Sequence, residues 1–120
     1  KKTKKQNRLT YLNLSFNPLT DKVFPFLKQI LLSSPKLLEL YLECCGMKFI
    51  FNEREGIEVS NSFSYPSLST LVLSSNPISS QNDSSFFQSL FSNKSLKVLD
   101  LSSLLPFPIS LFQDLEMLPR

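Results

Sequence analysis

Leucines occupy the first, fourth and sixth places of four nine-residue stretches, with polar or small residues between them. The stretches are Leu9-Thr-Tyr-Leu12-Asn-Leu14-Ser-Phe-Asn17, Leu37-Leu-Glu-Leu40-Tyr-Leu42-Glu-Cys-Cys45, Leu68-Ser-Thr-Leu71-Val-Leu73-Ser-Ser-Asn76 and Leu96-Lys-Val-Leu99-Asp-Leu101-Ser-Ser-Leu104. Alternation at the centre of each has the period of a strand, and the first Leu recurs after 28, 31 and 28 residues. Each unit therefore predicts one short strand and a return segment. A lone strand cannot bury its leucines, so the units must stack side by side and share one core.

The return segments are less uniform. In the first, Thr20 and Asp21 offer capping oxygens before Val23, Phe24, Phe26, Leu27, Ile30 and Leu31, which recur at helical spacing. Pro25 is tolerated in a first turn, so the regular helix starts close to it. The third segment repeats the plan, with Asp83 as cap before Phe86, Phe87, Leu90 and Phe91, and the fourth leads from Pro108 into Ile109, Leu111, Phe112 and Leu115. The second segment differs, because Phe49, Phe51, Ile57 and Val59 alternate with charges. That alternation predicts two extended pieces with a turn at Gly56, forming either an irregular connection or a protruding loop that adds contact surface.

The motif L-x-x-L-x-L-x-x-N/C resembles the leucine-rich repeat superfamily. The period of about 28 residues and Cys45 in the Asn slot are most similar to its ribonuclease-inhibitor-type class. The resemblance implies an α/β fold: a right-handed solenoid with a parallel β-sheet on the concave face and short helices or irregular segments on the convex face. A basic flank over 1–8 would precede repeats at 9–36, 37–67, 68–95 and 96–120. Pro35, Pro66 and Pro119 each stand two residues before a repeat start, so a fifth repeat is expected after Arg120 and the array is expected to be truncated. The competing expectation is that Phe112 to Leu118 forms a capping helix. Without a cap, the apolar edge around Leu99, Leu101 and Leu115 would favour self-association.

At the ninth place, Asn17 and Asn76 can hydrogen-bond the backbone freed where the chain leaves the strand, and Cys45 fits there as a small buried residue. Leu104 cannot make those bonds, which predicts a looser or differently built fourth turn. The positions between the leucines face outward. They place Tyr11, Tyr41 and Phe16 as an aromatic cluster flanked by Glu39 and Glu43, with Asn13, Val72 and Asp100 on the same face. Exposed aromatics rimmed by charge are the usual makings of a protein-binding hot spot, and these eight residues are the candidate partner contacts. The plainer alternative is a hydrophilic sheet face whose aromatics cover neighbouring strands.

Composition narrows the chemistry. The chain has 120 residues, 42% apolar and 19% charged, the balance of a folded domain. Its net charge of +3 owes much to Lys1, Lys2, Lys4, Lys5 and Arg8, so the repeats are near neutral. This basic run reads as a solvated flank, the alternative being a nuclear-targeting or anion-binding patch. There is no His, hence no triad histidine and none of the commonest general base. Cys44 and Cys45 are adjacent rather than spaced for zinc, and two glycines leave no phosphate-cradling loop. Glu53, Glu55 and Glu58 read as a solvated segment rather than a carboxylate site. No catalytic residue, cofactor or metal site is expected.

The expected function is a protein–protein interaction module, binding a protein partner through the concave sheet. A secreted or cell-surface receptor ectodomain is the first alternative, motivated by Asn-x-Ser sites at Asn13, Asn82 and Asn93. A nucleic-acid-associated adaptor or a tubulin-cofactor-like chaperone fragment is the second, the former opposed by the lack of a basic stripe on the repeats. No stretch approaches the ~18 apolar residues of a membrane span. Adjacent cysteines without flanking partners favour a cytoplasmic or nuclear setting over an extracellular one, which stays open.

Overall fold

A computed structural model describes residues 7–66, 68–79 and 84–104. Four strands, β1 (Tyr11–Asn13), β2 (Glu39–Tyr41), β3 (Thr70–Val72) and β4 (Val98–Asp100), form one parallel sheet in sequence order. Their register is the motif alignment itself: Tyr11 pairs with Glu39, Glu39 with Thr70 and Thr70 with Val98. Equal spacing of the leucines allows no other register without turning a leucine ladder out to solvent.

The inward leucines form the core. Leu37, Leu40, Leu42, Leu68, Leu71 and Leu73 are fully buried, while their counterparts in the first and fourth units are partly buried. Burial is graded because β2 and β3 have strands on both sides whereas β1 and β4, among the described residues, have one. At the eighth place of every motif the chain turns through a left-handed residue, with φ of 64° at Phe16, 54° at Cys44, 59° at Ser75 and 58° at Ser103. The fourth turn therefore keeps the geometry of the others despite Leu104. Leu104 is 1% exposed and contributes to the core in place of a hydrogen-bonding side chain.

Asn76 shows what the ninth place does when buried. Its Oδ1 accepts the amide N–H groups of Cys45 (2.9 Å) and Met47 (3.1 Å) in the preceding repeat. Its Nδ2 donates to the carbonyls of Leu42 (2.9 Å) and Leu73 (2.8 Å). The Asn17 side chain, which is exposed, donates to the carbonyls of Leu14 and Ser15. The buried Cys45 thiol donates to Leu14 and, at 3.5 Å, to Glu43. Backbone N–H groups of Phe16 and Asn17 in the preceding turn approach its sulfur in return, a weaker acceptor than an amide oxygen.

Among the described residues, three helices return the chain behind the sheet: α1 (Phe24–Leu32), α2 (Glu53–Ser62) and α3 (Ser85–Phe91). α1 follows a 3-10 turn at Asp21–Val23 in which Thr20 accepts the Lys22 N–H, and Pro25 lies in the first helical turn. Asp21 is not a cap for α1. Its carboxylate crosses to the second repeat and accepts the N–H groups of Lys48 (2.7 Å), Phe49 (3.1 Å) and Ile50 (2.8 Å).

The second return segment departs from expectation. Residues 53–62 are helical, not extended, because Asn52 and Glu55 form a reciprocal capping box at the N-terminus. Gly56 is no turn: it lies inside α2, where an added Cβ would stand 2.9 Å from the Phe86 nitrogen, so it lets α2 and α3 pack closely. Glu53, Glu55 and Glu58 form no shared site, since Glu55 caps and Glu58 pairs with Arg54 on the surface. Before the helix no strand forms and Phe49 is left-handed at φ 56°, yet burial alternates there, and Phe49 and Phe51 reach into a ring cluster with Phe24 and Phe86. The expected cap Asp83, the sequon at Asn82, the segment from Pro108 through Leu115 to Leu118, and the lysines at 1–5 lie outside the described residues.

Candidate functional site

Strand alternation sends the leucines inward and their neighbours to the face opposite the helices. In-register pairing then lines these neighbours up in rows, with Tyr11 beside Glu39 and Asn13 beside Tyr41. The Tyr11 and Tyr41 rings lean together across the strands, with centroids 5.2 Å apart and planes tilted 42°. The Tyr41 hydroxyl donates to Glu39 Oε1 at 2.7 Å, and Asn13 Nδ2 makes a long 3.4 Å contact to the Tyr11 oxygen. The Glu43 amide N–H donates to Ser15 Oγ at 2.9 Å, fixing the strand ends to each other. The hydrogen bond to Glu39 raises the Tyr41 pKa above its ordinary value, with desolvation and the carboxylate charge adding to it.

The structure thus brings together Tyr11, Asn13, Glu39 and Tyr41, with Glu43 two residues beyond Tyr41 on the same side. It does not complete a three-ring cluster. Phe16 is 71% exposed at the left-handed turn after β1 and makes no ring contact among the described residues. Val72 is 9% exposed, a correction to its place among surface contacts: it sits between Tyr41 and Asp100 in the sheet and is covered from both sides. Asp100 lies two strands from Tyr41 and three from Tyr11. Its carboxylate accepts the Ser102 hydroxyl (2.7 Å) and amide (3.0 Å), which hold its pKa below the ordinary value. Val98, 52% exposed in the row of Tyr11, was not among the expected contacts although its motif position gives it the same outward orientation.

A family model for the leucine-rich repeat matches residues 8–30 and 67–90, spans that hold β1 with most of α1 and β3 with most of α3. These are leucine-rich repeats. The match is to the general repeat and does not single out the ribonuclease-inhibitor-type class. Comparisons with curated proteins and with solved structures give no match. The parallel sheet backed by helices is consistent with the α/β solenoid of leucine-rich repeats. Such domains generally mediate protein–protein interaction and are typically not enzymes.

Among the described residues, no three His, Cys, Asp or Glu side chains are grouped to hold a metal ion, and no helix is long and apolar enough to cross a membrane. Both cysteines are free thiols, Cys44 exposed and Cys45 buried, with burial pushing the Cys45 pKa up. What this leucine-rich-repeat surface offers is preformed shape: aromatic side chains on short strands, pinned by hydrogen bonds and bordered by carboxylates.

Proposed function

We propose that the chain binds a protein partner through the sheet face opposite its helices, the face expected to be concave. Tyr11 and Tyr41 are the anchors, and Asn13, Phe16, Glu39, Glu43 and Asp100 supply the surrounding contacts. The observation that carries this reading is the paired tyrosines, Tyr11 exposed and Tyr41 half-buried, with Tyr41 held by its hydrogen bond to Glu39. A side chain ordered before binding loses little rotamer freedom on contact, so more of its burial appears as affinity. The buried Val72 supports the strand beneath and contributes little direct contact.

Tyr11→Ala combined with Tyr41→Ala is expected to weaken a bound partner by about 2 kcal/mol or more, the scale of hot-spot truncation. Phe26→Ala, which removes an exposed ring on α1 behind the sheet, is the control and should leave affinity unchanged. Biolayer interferometry against a captured partner decides the matter. Affinity that follows Phe26 and ignores both tyrosines would place the interface on the helical side.

A further inference from the structure

The sign of the charge on the sheet face is opposite to that of the chain. The outward third, fifth and seventh places of the four motifs carry Glu39, Glu43 and Asp100 and no lysine or arginine, although the chain's net charge is +3. Neither Glu39 nor Glu43 belongs to an ion pair among the described residues, where the salt bridge present joins Arg54 to Glu58 on α2. Glu39 stands opposite Tyr11 across the strands and receives the Tyr41 hydroxyl on Oε1, so its carboxylate borders both rings. A carboxylate beside two mutually tilted aromatic rings, one exposed and one half-buried, matches a cation that can stack and hydrogen-bond together.

We propose that the partner presents an arginine side chain to this face, its guanidinium lying against the Tyr11–Tyr41 pair and donating to Glu39, with Glu43 adding to the attractive field. The inference rests on the protein-binding reading of the sheet and adds the chemistry of the bound residue. Arginine is favoured over lysine because its planar, weakly hydrated head stacks on rings while its fork addresses a carboxylate. Lysine is a strongly hydrated point charge and gains less from the rings.

The probe is a displayed library of random nonapeptides, selected on the immobilised full chain and counter-selected on the Tyr11→Ala/Tyr41→Ala variant, whose fold is checked by circular dichroism. Peptides that depend on the tyrosines are expected to be enriched in arginine. Replacing that arginine by citrulline, or Glu39 by Gln, should weaken binding by about tenfold or more, as expected for loss of a charge-assisted bond and a cation–ring contact. Tyrosine-dependent peptides without arginine enrichment, or citrulline peptides that bind as tightly, would overturn the arginine inference and leave the sheet face standing as the interface. A library that yields no tyrosine-dependent peptide would overturn both.

Discussion

Asn76 and Asn17 hold the same place in the motif, yet their replacement by Ala should cost very different amounts. Asn76 is 1% exposed, and its Oδ1 is the acceptor for two backbone N–H groups of the preceding repeat, those of Cys45 and Met47. Ala removes that acceptor at a place where water has little access. A buried polar group left unpaired costs about 1–3 kcal/mol, so two such groups put the loss at about 2–6 kcal/mol, before any contribution from the Leu42 and Leu73 carbonyls. Asn17 donates to Leu14 and Ser15 from an exposed position, where water replaces the lost donor. Its substitution should cost no more than about 1 kcal/mol. Urea melts of the two variants, read at matched slopes, measure the difference. Equal losses would refute the reasoning, since they would mean that the hydrogen bonds at Asn76 are no harder to replace than those at the sheet's end.

Gly56→Ala should destabilise by about 1–3 kcal/mol through overpacking against the Phe86 backbone, even though Ala is the better helix former; a raised urea midpoint would show that α2 and α3 do not approach as closely as described. A disulfide reagent at neutral pH should titrate Cys44 promptly and Cys45 only on unfolding, because Cys45 is buried and its thiol pKa is pushed up by burial; prompt reaction of both thiols in the folded chain would contradict the buried slot. The Asp100 pKa is lowered in the fold, so its contribution to stability is present above the unfolded carboxylate value and is lost as pH falls through the folded value. Carboxyl-carbon NMR titration should find it depressed, and Ser102→Ala should bring it part of the way back toward the ordinary range; an Asp100 pKa unchanged by that substitution would remove the Ser102 hydroxyl as the leading cause.

Much of the architecture was legible from leucine spacing because a strand's alternation and a repeat's period are local properties of the chain. They locate the strands and the inward ladder, and Thr20 followed by a helical apolar pattern located α1. The second return segment was misread for a physical reason that can be named. Alternation at Phe49 and Phe51 is real, but Asn52 and Glu55 start a helix immediately after it, and the N-x-x-E capping signal was present in the sequence. A period read across a helix start mixes two conformations.

Other features were decided only when distant residues met. Gly56 looks like a turn until Phe86 is seen against it, and Asp21 looks like a cap for its own helix until the N–H groups of Lys48, Phe49 and Ile50 converge on it. The motif makes Tyr11, Tyr41 and Val72 equivalent outward positions. Stacking makes the first two a ring pair, one exposed and one half-buried, and covers the third between neighbours. The sequence by itself determined which residues line the sheet and in what register, since both follow from spacing along one chain. The tertiary structure decided which of those residues are buried, satisfied or free to bind, because burial is set by strands about thirty residues away that spacing aligns but cannot size.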